Sequence, residues 1–236
     1  MKCILMADSV QRDSLINDIL RKAKKYDVPV KSISRKKLDE ISERGSHQGV
    51  MAETKPFDYV NVTTILEAAE KSAAEHDGRA LIVVLDHLTD AGNLGAIARS
   101  AESVGACGII IPNKRAAHVT AATYKSSAGA IAHIPVSQVA NISTCLDRLK
   151  KEGFWVAAAT EHAQEYVWDA NLKGRIVLVM GNEGEGVSRL VLESCDFGVK
   201  LPQVGDISSL NVAQASTACM YEWLRQNRTA AEGLRG

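Results

Sequence analysis

The sequence lacks the patterns that mark redox, metal and membrane proteins. Its five cysteines, Cys3, Cys107, Cys145, Cys195 and Cys219, are odd in number and scattered, with no C-x-x-C pair and no histidine nearby at ligand spacing. This argues against a disulfide framework or a zinc site and reads as reduced thiols in a cytoplasmic protein. No apolar run approaches the length of a membrane span, and the N-terminal stretch MKCILMADS breaks at Asp8, too early for a signal peptide. The expectation is a cytosolic chain with no metal and no membrane partner. None of the six histidines, His47, His118 and His133 included, sits beside a serine or cysteine in a recognisable nucleophile setting. Internal repeats and low-complexity tracts are missing too. So is net charge: 28 Lys and Arg balance 28 Asp and Glu, and the total gives no sign of a nucleic-acid partner.

What is present is an ordinary globular composition, 46% hydrophobic and 24% charged, over 236 residues. That length suits one large domain or two modest ones. Charge is spread unevenly: Met1 to Asp58 carries 12 basic and 9 acidic residues, with RKAKK at 21–25 and RKK at 35–37. Taken alone, such runs are solvated helix faces.

Residues 9–26 place Leu15, Ile16, Ile19 and Leu20 at helical spacing, VPVKSIS reads as a short strand, SRKKLDEISER as a second helix and GVMAETKP as a strand. This is a small α/β unit. A further helix in YVNVTTILEAAEKSAAEHDG runs into a polar, alanine-rich segment, which puts the domain junction near residues 70–79 and the domains at 1–77 and 78–236. Beyond Ala80 the runs ALIVVLD, GIIIP, FWVAAAT, RIVLVMG and FGVKLP are short and almost wholly apolar, as a parallel sheet covered on both faces requires. Helices are expected at Asn93–Ser103, with Leu94, Ile97, Ala98 and Ala101 on one face, at Ile142–Lys151, and from about Ser209 to Asn227, burying Val212, Ala215, Cys219 and Trp223.

In open parallel sheets ligands gather at the carboxyl ends of strands, and three polar loops lie there. DAGNLGAIARS offers Asn93, which can cap its helix, and Arg99, whose bland role is an i,i+3 pair with Glu102. GNEGEGVSR has the glycines of a phosphate cradle, but Glu183 and Glu185 would repel a polyphosphate, and both a P-loop lysine and a dinucleotide fingerprint are missing. GDISSLNVAQ offers Ser208, Ser209 and Asn211, all ordinary helix-start residues. Together the loops fit a neutral or zwitterionic cofactor beside an anionic polymer.

The trio DAGNLGAIARSAESVG, LVMGNEGEGVS and LPQVGDISSLNVAQA resembles, in order and at suitable separations, the three motifs of the SpoU (TrmH-like) branch of the SPOUT RNA methyltransferases. The resemblance runs from about Ala80 to Asn227. The preceding GSHQGVMAE is similar to the end of the ribosomal-protein-like α/β domain in the branch that methylates a guanosine of large-subunit ribosomal RNA. It implies an α/β fold, a parallel-sheet catalytic domain closed by a C-terminal deep trefoil knot, and a homodimer. It implies transfer of a methyl group from S-adenosylmethionine to a ribose 2′-hydroxyl of structured, ribosomal RNA. Cofactor contacts carry over to Gly181, Leu201, Leu210 and Thr160; catalytic and RNA-facing positions carry over to Asn93, Arg99, Glu183, Ser209 and Asn211. Arg99 would anchor the RNA phosphate and stabilise the developing oxyanion, since a guanidinium stays protonated. Ser209 and Asn211 would orient the ribose, and Glu183 would hold the arginine or the loop.

Two departures stand out: Ala91 replaces a frequent proline, and Pro202-Gln203 a frequent proline-methionine pair. The family's glycine-containing first helix is not seen before MKCILMADS, so the resemblance implies an N-terminally shortened RNA-binding domain. The alternatives are a transfer-RNA ribose methyltransferase, a non-catalytic RNA-binding scaffold and a nucleotide-dependent Rossmann enzyme.

Overall fold

The computed structural model describes residues 1–42, 47–206 and 209–228. The chain divides into two compact units, Met1–Asp58 and Tyr59–Gly236. No helix among the described residues is long and apolar enough to cross a membrane.

In the first unit, β1 (Cys3–Ala7) is the middle strand of three, parallel to β2 (Val30–Ile33) and antiparallel to β3 (Val50–Glu53). The apolar N-terminal stretch is thus a central strand. Helix α1 (Ser14–Lys25) starts where the Asp13 carboxylate accepts the Ile16 N–H at 2.8 Å. It buries Ile16 and Ala23 and half-buries Ile19 and Leu20, an i, i+3, i+4, i+7 stripe. Leu15 lies off that stripe and is 61% exposed, against expectation. Helix α2 (Arg35–Ile41) follows the Ser34 cap, whose hydroxyl accepts the Lys37 N–H. Residues 43–44 of the expected second helix, and 45–46 of the motif after it, lie outside the described residues.

The second unit begins earlier than the expected junction. Val60 already donates to the Val136 carbonyl at 2.9 Å, and α3 (Val62–Glu75) buries Ile65, Leu66 and Ala69 in the same core as Leu146, Phe154 and Val177. A Cβ at Gly108 would stand 2.7 Å from Ile65, so the helix is in close contact with the sheet. The boundary therefore falls at Asp58/Tyr59 rather than 70–79. The composition that resembled a linker belongs to a helix with one polar face.

The sheet of this unit has seven parallel strands: β4 (Ala80–Leu85), β5 (Gly108–Pro112), β6 (Val136–Val139), β7 (Trp155–Ala159), β8 (Glu165–Tyr166), β9 (Arg175–Met180) and β10 (Phe197–Lys200). Their spatial order is β6-β5-β4-β9-β7-β10-β8. Every residue of β4 is buried, as a strand covered on both faces must be. Strands β6 and β8 carry no long apolar run and are not evident in the sequence. Because β9 inserts between β4 and β7, the carboxyl ends of β4, β9, β7 and β10 lie side by side on one edge.

Helix α4 (Ala91–Ser103) follows β4 and buries Leu94, Ile97, Ala98 and Ala101 as expected. Gly95 faces α5 (Ala121–Ser126) so closely that a Cβ would meet the Thr123 carbonyl at 2.5 Å. Helix α6 (Ile142–Lys151) matches its expected span, and α7 (Arg189–Glu193) follows β9. Helix α8 (Val212–Asn227) starts three residues later than expected, because the Asn211 side chain caps it by accepting the Ala213 and Gln214 N–H groups. It buries Val212, Cys219 and Trp223, while Ala215 is only half-buried.

Candidate active site

The loop after β9, Gly181 to Val187, is folded back upon itself. Asn182 and Gly186 exchange backbone hydrogen bonds at 3.1 and 3.2 Å, and a Cβ on Gly181 would lie 1.9 Å from the Gly186 carbonyl carbon. Only glycine fits there. The Asn182 side-chain oxygen accepts the N–H groups of Gly184 at 2.8 Å and Glu185 at 2.7 Å. Four of the backbone donors that a phosphate cradle would present, those of Asn182, Gly184, Glu185 and Gly186, are therefore occupied within the loop, which adds a geometric reason to the electrostatic one against a polyphosphate.

Beside this loop lies a cleft of about 710 Å³, in the size range of small-molecule sites. Its walls come from the ends of β7, β9 and β10 and the start of α8. Gly181, Leu201, Leu210 and Thr160, the four expected cofactor contacts, all line it, as do Glu183 and Ser209. Ser208 lies outside the described residues. Met180, Val187, Val199 and Val212 supply apolar surface for a flat heterocycle, and Glu161, Glu183 and Glu185 supply negative charge near the rim. This donor set fits a ligand that joins an adenine to a cationic tail, and S-adenosylmethionine is such a molecule. Cys219 also lines the cleft, but burial pushes its thiol up to about 12, so it stays a neutral, unreactive wall at physiological pH.

Asn93 in the first turn of α4, Glu183 in the loop after β9 and Asn211 at the cap of α8 are joined by hydrogen bonds. Asn211 Nδ2 donates to Asn93 Oδ1 at 3.1 Å, and Asn93 Nδ2 donates to Glu183 Oε1 at 2.5 Å. The direction follows from the cap: the Asn211 oxygen is committed to α8, so its NH2 must face Asn93, which must in turn donate to a group that only accepts. The expected capping role of Asn93 is not observed. Asp90 caps α4, accepting the Asn93 N–H at 2.6 Å, and this frees the Asn93 side chain for the relay.

Arg99 stands apart. It is exposed on α4, does not line the cleft, and among the described residues its guanidinium has no hydrogen-bond or salt-bridge partner. Neither the Glu102 pair nor a contact with Glu183 forms; Glu183 holds Asn93 instead. Two residues outside the sequence-predicted set also shape this region: Asn182, whose side chain organises the loop, and Asp86, which is buried just after β4. A charge closing an apolar strand was the available signal for Asp86. Nothing in the sequence marked Asn182 as an acceptor.

Comparison with known proteins bears on both units. A family model described as the SpoU rRNA Methylase family matches residues 80–221, and one described as RNA 2′-O ribose methyltransferase substrate binding matches residues 1–60. The chain is 39% identical over 214 residues to a putative TrmH family tRNA/rRNA methyltransferase, YacO, of Bacillus subtilis, covering 91% of this chain and 84% of that protein. It is 38% identical over 222 residues to a putative TrmH family tRNA/rRNA methyltransferase of Staphylococcus haemolyticus, covering 94% and 87%. Among solved structures, the SpoU methyltransferase AviRb from Streptomyces viridochromogenes in complex with the cofactor AdoMet superposes with a TM-score of 0.77 at 26% identity, over 95% of this chain and 82% of that one.

Proposed function

From the premise that the chain belongs to the SpoU rRNA Methylase family and is an S-adenosylmethionine-dependent RNA methyltransferase, we propose that it methylates a ribose 2′-hydroxyl of a guanosine in 23S ribosomal RNA. The observation that carries the reading is the Asn211–Asn93–Glu183 relay beside a glycine-shaped cleft. The match of residues 1–60 to a substrate-binding model supports RNA capture by the first unit. So does the charge placement there. Arg35, Lys36 and Lys37 occupy the first turn of α2, where the helix dipole disfavours cations, a position that suits an anionic partner better than helix stability. Along α1, Asp18 pairs with Arg21 and Lys22, while Lys24 and Lys25 remain exposed.

In this reading Gly181, Leu201, Leu210 and Thr160 hold the cofactor, which supplies an electrophilic methyl group. The relay fixes Asn93 and Glu183, and holding the reacting groups in line lowers the barrier by several kcal/mol, of the order that positioning supplies. Ser209 and Asn211 orient the ribose. Arg99, permanently charged and without a partner among the described residues, receives the RNA phosphate and stabilises the developing oxyanion. The hydroxyl proton passes to that phosphate or to water. The proposal includes a deep trefoil knot that threads the C-terminal motifs, a homodimer in which one subunit completes the other's site, and action in the cytoplasm. The similarity to SpoU enzymes supports these features.

The test is to incubate the protein and labelled S-adenosylmethionine with unmodified ribosomal and transfer RNA and to map the product by mass spectrometry. A ribose methyl on a 23S guanosine is expected. Label found only in transfer RNA, or on a base, would reject that target.

A further inference from the structure

Asp86 has no part in the chemistry above, yet it is a charged side chain only 1% exposed. Its backbone N–H donates to the carbonyl of Met180, the last residue of β9, at 2.7 Å. Its Oδ2 accepts the N–H of Ser188, the cap residue of α7, at 2.7 Å. Met180 and Ser188 are the two stems of the Gly181–Val187 loop, so one residue, directly after the neighbouring strand β4, grips both. The remaining oxygen, Oδ1, lies 2.6 Å from Nδ1 of His87. His87 itself has φ 56, a left-handed conformation that a side chain disfavours and that persists only where its surroundings enforce it. A buried carboxylate is costly unless its oxygens are satisfied, and here each has a partner.

We propose that Asp86 is a positioning residue for the cofactor loop. Holding Met180 and Ser188 together sets the width of the loop's base. It thereby keeps Gly181 against Gly186 and presents Glu183 to Asn93. The inference rests on the reading of this loop as cofactor-binding.

Calorimetric titration of S-adenosylmethionine into the full-length wild type, Asp86→Asn and Asp86→Ala tests it. Asparagine keeps an oxygen for the Ser188 N–H and can donate to His87, whereas alanine leaves that N–H without its acceptor. Asp86→Ala should weaken cofactor binding by about tenfold or more and raise the KM for the cofactor accordingly, with RNA affinity within about twofold; Asp86→Asn should stay within about threefold of wild type. Wild-type affinity in the alanine variant overturns the proposal, as does an asparagine variant as weak as alanine. Should Asp86→Ala fail to fold, amide exchange of the ligand-free wild type decides. The Ser188 N–H should be protected, and exchange at the free-peptide rate overturns the clamp. A wild type that binds no S-adenosylmethionine would reject the reading of the loop, while the exchange result would still judge the clamp.

Discussion

Asn93 shows how the bond a residue makes can differ from the one its position suggests. The motif marks it, and an asparagine near a helix start suggests a cap, but Asp90 takes that position and Asn93 turns to Glu183 and Asn211. Arg99 differs, because its want of a partner among the described residues is what the proposed role requires. Arg99→Ala should abolish methyl transfer while S-adenosylmethionine affinity changes by less than about threefold; full retained activity would remove Arg99 from the mechanism. At Gly181 the constraint is steric. The atoms that a Cβ would strike belong to the Gly186–Val187 backbone, which has nowhere to move without opening the loop. Gly181→Ala should therefore cost about 1–3 kcal/mol of stability and lower cofactor affinity at least about tenfold, read by denaturation and calorimetry.

At the scale of elements, legibility followed apolar run length. Strands β4, β5 and β9 were evident because each buries a nearly continuous apolar segment; β7 and β10 were evident from equally apolar sequence, although Trp155 is exposed and β10 buries only Val199 fully. The edge strands β6 and β8 were not: VSQV and EY owe their pairing to a neighbour that is already in place. Helix α4 was legible in its apolar face, and its exact start depends on a cap. Asp90→Ala should destabilise the protein by about 0.5–2 kcal/mol, seen as a lower denaturation midpoint, because it leaves the Asn93 N–H without its acceptor. An unchanged midpoint would mean that the helix start is held by packing alone.

For the whole molecule, the position of α3 decides where the chain can be cut. Deleting Met1–Asp58 should leave a folded second unit that binds S-adenosylmethionine but captures RNA weakly. Deleting on to Asp77 strips Ile65, Leu66 and Ala69 from the core, and that protein should unfold or aggregate. Equal thermal midpoints for the two truncations would return α3 to the first domain, and undiminished RNA affinity would make the basic first unit a solvated surface.

The sequence by itself determined the α/β class, the small α/β unit ahead of the sheet, and the motifs that supply the candidate site. Those follow from local periodicity, side-chain chemistry and the ordered trio of motifs. Only the tertiary structure decided that Asp90 and not Asn93 is the cap, that Glu183 serves Asn93 and not Arg99, that Asp86 grips both stems of the loop, and that α3 belongs to the second core. Each of these depends on which strands become neighbours. The Asn93–Glu183 bond spans 90 positions and the Asp86–Ser188 bond spans 102, and both arise because β9 lies against β4, a pairing that no local pattern records.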